Sequence, residues 1–158
     1  MSDKKIFNLD NLLKKISTLK KEKNIIVGFT NGCFDLLHKG HLKLIKESKN
    51  RCDFLIIALN SDNSIKLIKG NERPIENQVL RINNLSNVNE VDAIIVFSEE
   101  TPLKLIEIIN PNILFKGSDY KKKELIGSDF ILKNGGKVEL IDILDEYSTT
   151  NIIKNYSI

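Results

Sequence analysis

Two histidines three residues apart, His38 and His41, enclose Gly40 and stand at the head of a stretch with helical apolar spacing, Leu42, Leu44 and Ile45. Residues three apart at a helix start lie on one side, so both rings can address one ligand. Gly40 would let an anion approach the backbone N–H groups and the positive end of that helix. The arrangement suits a polyphosphate. The segment Thr30-Asn31-Gly32-Cys33-Phe34-Asp35 that leads into it is neither GxGxxG nor GxxxxGK[ST], which excludes the two common phosphate loops at this point. Two rival readings stand beside it. Cys33, His38 and His41 could ligate zinc, but their spacing matches none of the usual ligand pairs and no fourth ligand presents itself. The histidines could also be a purely structural pair.

Four further segments carry chemistry. Asn60-Ser61-Asp62-Asn63-Ser64 follows an apolar run; it can cap a helix, and Asn60 and Asp62 can face a substrate hydroxyl. Lys69 and Arg73 lie on one charged loop and Arg81 in the next helical stretch, cations that would neutralise transferring phosphoryl oxygens. Phe115-Lys116-Gly117-Ser118-Asp119 places a lysine and an aspartate about a glycine where a nucleotide could lie against the backbone, with a plain glycine turn as the alternative. Ser148-Thr149-Thr150 precedes Ile152 and Ile153, gathering three hydroxyls at an expected helix start.

These segments need a scaffold, and the apolar pattern supplies one. Ile25–Phe29, Phe54–Leu59, Ala93–Phe97, Ile113–Phe115 and Val138–Ile141 are short runs rich in β-branched residues, which predict buried strands. Helical spacing falls at 8–23, where Asn8 is the expected cap, and at about 40–50, 62–68, 76–88, 101–109 and 121–134. Strands alternating with helices predict an α/β fold, a doubly wound parallel five-stranded sheet with helices on both faces. In such a sheet ligands bind at the carboxyl ends of the strands, where the chemistry-bearing segments sit. The 158 residues suit one domain, an amphipathic helix over 1–23 followed by a core over 24–158. The lysines of that first helix read as a solvated face.

Composition removes several classes. With 41% hydrophobic and 28% charged residues the chain is no disordered tail. A net charge of +3 and the lack of an aromatic stacking cluster argue against a nucleic-acid partner. No apolar run approaches membrane-spanning length and no signal peptide follows the start, so no membrane partner and a cytoplasmic location are expected. Two cysteines without CxxC spacing suggest reduced thiols.

His38-Lys39-Gly40-His41 and Ser148-Thr149-Thr150 resemble the two signature motifs of the HxGH nucleotidylyltransferase superfamily, and the resemblance runs from about Ile25 to Lys154. Thr30–Leu42, Asn60–Ser64, Lys69–Pro74, Leu114–Tyr120 and Ser148–Lys154 most resemble the branch that adenylylates D-glycero-β-D-manno-heptose 1-phosphate. The resemblance implies a Rossmann-like fold and transfer of AMP from ATP, with Mg²⁺ accompanying the nucleotide. It implies that His38 and His41, with Lys69, Arg73 and Arg81, stabilise the triphosphate in the transition state. Thr30, Asn31, Gly32, Phe34, Asp35, Gly40, Lys116, Gly117, Asp119, Ser148, Thr149 and Thr150 would form the nucleotide site, and Asn60 and Asp62 would contact the sugar phosphate. Asp35 would order the site or help position Mg²⁺. Relatives commonly form homo-oligomers, and bifunctional relatives carry a sugar kinase ahead of this module, so a separate kinase upstream is expected here.

Some positions depart from the pattern. Leu80 stands where relatives often have glutamine, and Ser118 where many have a second glycine. Ile143 occupies the place of an arginine usual in glycerol-3-phosphate cytidylyltransferases, which weakens that alternative. A module that binds ATP without turning it over is the alternative from another class.

Overall fold

The computed structural model describes residues 2–118 and 125–143. Asp119, Ser148, Thr149 and Thr150, named above as nucleotide-site candidates, lie outside the described residues, as does part of the expected 121–134 helix. The strands β1 (Val27–Gly32), β2 (Phe54–Asn60), β3 (Ala93–Phe97), β4 (Ile113–Gly117) and β5 (Lys137–Ile141) form one parallel sheet in the order β3-β2-β1-β4-β5. The helices among them are α1 (Leu9–Glu22), α2 (Lys39–Lys49), α3 (Asp62–Lys69), α4 (Gln78–Ser86), α5 (Leu103–Ile109) and α6 (Ser128–Lys133).

Strand β2 shows why the strands read as unbroken apolar runs. Its residues Phe54, Ile56 and Ala58 join a core with Leu12 and Ile16 of α1, Leu105 and Ile106 of α5 and Ile131 of α6. The alternate residues Leu55, Ile57 and Leu59 join a second core with Leu44 and Ile45 of α2 and Leu85 of α4. A strand covered on both faces has no polar side to display. The expected doubly wound α/β sheet is therefore the observed one. Gly28 of β1 has no room for a side chain, since a Cβ there would lie 2.6 Å from the Phe115 ring and 2.7 Å from Cys52 Sγ.

The outer edge of β3 is covered by the N-terminal segment, where Ile6 bridges to Ile94 and the Phe7 N–H donates to the Ile94 carbonyl at 2.9 Å. Helix α1 is capped by Asn8, whose side chain accepts from the Asn11 N–H at 2.8 Å. Among the described residues no helix is long and apolar enough to cross a membrane.

Several boundaries differ from expectation, and β1 matters most. Its predicted span Ile25–Phe29 shifts to Val27–Gly32. The Ile26 N–H is taken by the Asp53 carboxylate at 2.7 Å, while Thr30, Asn31 and Gly32 continue the ladder opposite Ile57, Ala58 and Leu59. Hydropathy misses those three because they are polar. Helix α4 starts at Gln78 rather than near 76, because the Asn77 side chain caps it through the Leu80 N–H.

The chain moves outward from β1 through β2 to β3, then crosses back to β4 on the other side of β1. Beyond the carboxyl ends of β1 and β4 this reversal opens a crevice, the position at which doubly wound sheets bind ligands.

Candidate active site

The crevice is a cleft of about 350 Å³, lined by Asn31, Gly32, Cys33, Phe34 and Asp35 after β1, His41 and Leu44 of α2, Asn60 after β2, Lys69, and Lys116 and Gly117 of β4. The turn from β1 into α2 is unusual backbone. Phe34 (φ 48°) and Leu36 (φ 52°) both occupy the left-handed region, which disfavours residues other than glycine. The conformation is held from outside. Asp35, only 1% exposed, accepts from the Ile75 N–H at 2.7 Å and the Glu76 N–H at 2.9 Å, and Arg73 Nε lies 3.5 Å from the same carboxylate. Glu76 answers by accepting the Leu36 N–H at 2.9 Å. Phe34, turned inward by its left-handed backbone, packs its ring 5.2 Å from that of His41.

The two histidines open α2 as a reciprocal cap. His38 Nδ1 accepts from the N–H groups of Gly40 at 3.1 Å and His41 at 3.4 Å, and His41 Nδ1 accepts from the His38 N–H at 3.3 Å. This is the hydrogen-bond pattern of a capping box with imidazoles in place of hydroxyl and carboxylate. It corrects one expectation: the N–H groups of Gly40 and His41 are engaged by His38 and do not await an anion. What the cap leaves uncommitted is Nε2 of each ring.

The cap also sets the proton positions. A backbone N–H can only donate, so each Nδ1 is an unprotonated acceptor and each ring carries its proton on Nε2. The rings stack with centroids 3.7 Å apart. Burial, then the neighbouring His38, Lys69 and Lys116, push the His41 pKa down to about 3; burial lowers that of His38 as well. The result is a pair of neutral Nε2–H donors beside fixed cations. His38 Nε2 is buried without a hydrogen-bond partner among the described residues, as a donor reserved for a ligand would be.

Lys69 ends α3 on the rim of the cleft, and Lys116 reaches across from β4 to donate to the Asn31 carbonyl at 2.8 Å. Asn60 lines the cleft, with its Nδ2 donating to Ser64 Oγ at 3.0 Å and its Oδ1 3.9 Å from Cys33 Sγ. Within the segment expected to cap a helix, Ser61 is the residue that caps α3, accepting from the Ser64 N–H at 3.1 Å.

Arg81, Asp62 and Thr30 sit differently from the expected phosphate and substrate contacts. Arg81 is fully buried: Nε donates to the Glu76 carbonyl at 3.0 Å, Nη1 to the carbonyls of Cys33 and Asn60 at 2.8 Å each, and Nη2 to Asp62 Oδ1 at 2.8 Å. It ties the ends of β1 and β2 to α3, and it occupies the Asp62 carboxylate that was expected to meet substrate. The signal for this is absent from sequence, where an arginine on an amphipathic helix reads as solvent-facing. Thr30 lies inside β1 at 0% exposure, its Oγ1 without a partner among the described residues. Arg73 packs beside Asp35 with Nε and Nη2 likewise lacking hydrogen-bond partners there. Glu76 was missed altogether, because one glutamate in a charged loop carries no pattern.

No group of three or more His, Cys, Asp or Glu among the described residues could hold a metal ion, and both Asp35 oxygens accept backbone N–H bonds.

Known proteins resemble the chain in sequence and fold. Residues 29–155 match the model of the cytidylyltransferase-like family. The chain is 46% identical over 137 residues to the bifunctional protein HldE of Nitrobacter winogradskyi and 45% identical over 152 residues to that of Geobacter metallireducens. The matches cover 87% and 96% of the chain but only 28% and 31% of those longer proteins. Among solved structures, the lipopolysaccharide core biosynthesis protein from Thermoplasma volcanium superposes with a TM-score of 0.62 at 30% identity, covering 76% of this chain and 97% of that one. The pantoate-beta-alanine ligase from Francisella tularensis shares the fold, with a TM-score of 0.62 at 20% identity over 95% of this chain and 72% of its own. The match across residues 29–155, with 45–46% identity to HldE proteins, makes the chain a nucleotidyltransferase and a member of the cytidylyltransferase-like family.

Proposed function

We propose that the chain transfers AMP from ATP to D-glycero-β-D-manno-heptose 1-phosphate, giving ADP-heptose and pyrophosphate. The observation that carries nucleotidyl transfer is the neutral His38–His41 pair, with Nε2–H groups for ligand oxygens and Lys69 and Lys116 close enough to depress the His41 pKa. The resemblance of five motifs to the heptose 1-phosphate branch, with 46% identity to an HldE protein, supports the choice of sugar.

In this reading a phosphate oxygen of the sugar phosphate attacks the α-phosphorus of ATP in line, and the bond from that phosphorus to the β-phosphate bridging oxygen breaks. The attacking phosphate is already anionic, so no general base is required, and the protein acts by positioning and charge stabilisation. The imidazole Nε2–H groups donate to the phosphate oxygens on which charge grows, without reorganising, because the cap has set their tautomer. Lys69 and Lys116 neutralise charge from the rim and from β4. Mg²⁺ enters as part of the MgATP substrate, held by the triphosphate.

The test is pyrophosphate release with ATP or CTP crossed against heptose 1-phosphate or glycerol 3-phosphate. Turnover confined to ATP with the heptose is expected. Turnover with CTP and glycerol phosphate would overturn the substrate, and silence in every combination would overturn both acceptors and call for other phosphate acceptors before a module that binds nucleotide without transfer.

A further inference from the structure

We propose that Glu76 is a positioning residue of the transfer reaction: its carboxylate clamps the β1–α2 connection in the conformation that seats His38 against His41. The inference rests on the nucleotidyl-transfer reading above. Between the end of β1 and the start of α2 the backbone passes through two left-handed residues, Phe34 and Leu36, neither of them glycine. Such conformations persist only where the surroundings over-determine them. For Leu36 the external restraint is the 2.9 Å bond from its N–H to Glu76 Oε1. Two residues later His38 is extended (φ −133°, ψ 178°) and turns its ring into the cap. Any relaxation at Leu36 is passed to His38 through Leu37 alone.

Glu76 is built to hold rather than to swing. Its N–H donates to Asp35 at 2.9 Å, its carbonyl accepts from Arg81 Nε at 3.0 Å, and Asn84 Nδ2 lies 3.4 Å from each carboxylate oxygen. Asp35 and Glu76 therefore bind each other's loops in opposite directions, carboxylate to backbone both ways. A base role is not needed from this carboxylate, because the attacking phosphate is already anionic.

The test is a double-mutant cycle in the full chain, reading kcat and KM for ATP in wild type, Glu76→Ala, His38→Ser and the pair. A misplacement of about 1 Å can cost about 10²-fold in rate, so Glu76→Ala should lower kcat about tenfold to a hundredfold with KM for ATP little changed. If Glu76 acts through His38, the same substitution made on His38→Ser should cost less than about threefold more, since coupled residues are non-additive. Glu76→Gln, which keeps an acceptor oxygen, should restore most of the rate. Additive losses, an active Glu76→Ala, or a Gln variant as impaired as Ala would each overturn the proposal. Amide hydrogen exchange reads the clamp without turnover: Glu76→Ala should expose the amides of Leu36, Gly40 and His41 while β2 stays protected. Unchanged protection at Leu36 would overturn it. Should wild type transfer no nucleotide, the reading of the reaction falls and the exchange result alone decides the clamp.

Discussion

Replacing His41 by glutamine should remove a specific part of the protein's acid sensitivity. His41 is held neutral, its pKa pushed down from 6.5 to about 3, chiefly by burial, while in the unfolded chain it titrates normally. Below pH 6.5 the unfolded state binds a proton that the native state refuses, so stability is full above that value and falls as pH drops towards 3. Between pH 7 and pH 5 this one ring withdraws about 2 kcal/mol, or about 4–8 °C in Tm for a chain of this size. His38, lowered in the same direction, adds to the loss. Glutamine suits the third helical position of a capping box, so His41→Gln keeps an acceptor for the His38 N–H and removes the titration. The assay is urea unfolding of both proteins at pH 7 and pH 5, a comparison in which titrating groups remote from His41 cancel. The variant should lose about 2 kcal/mol less than wild type. Equal losses would refute the claim that His41 is neutral and capped.

Three further outcomes follow from the same structure. His38→Ser retains a good N-cap while deleting the Nε2–H donor, so it should fold normally and lose about 10²–10³ in kcat, measured as pyrophosphate release. Arg81→Met leaves three carbonyls, those of Cys33, Asn60 and Glu76, and the Asp62 carboxylate without their shared partner; because Asp62 keeps 36% of its side chain in solvent, the cost should be near the low end for a broken buried pair, about 3 kcal/mol by urea unfolding. Gly28→Ala forces a Cβ within 2.7 Å of Phe115 and Cys52, and should destabilise by about 1–3 kcal/mol with the site chemistry intact.

The sheet was legible because its central strand β2 is buried on both faces, so an apolar run such as Phe54–Leu59 marks it directly. The end of β1 was not, because Thr30, Asn31 and Gly32 are polar residues held by ladder pairing that hydropathy does not register. His38 and His41 were recognisable by spacing, yet their capping role was not, since imidazoles seldom fill it and the N–H groups they take looked free for an anion. Arg81 illustrates the larger difficulty. Its helix position says nothing of the two strand ends and the aspartate that converge on its guanidinium, which only the sheet topology brings together. Glu76 was invisible for the same reason: its partner, the Leu36 N–H, is 40 residues away.

The proposed mechanism depends on a neutral, Nε2-protonated histidine pair that meets nucleotide phosphate. Histidine ¹⁵N NMR of the full chain at pH 7, without and with MgATP, tests this directly, since the chain has two histidines to assign. Both rings should be Nε2–H tautomers in the free protein, with the Nε2 signals moving when MgATP binds. An imidazolium or an Nδ1–H tautomer at either ring, or Nε2 signals indifferent to bound MgATP, would contradict it.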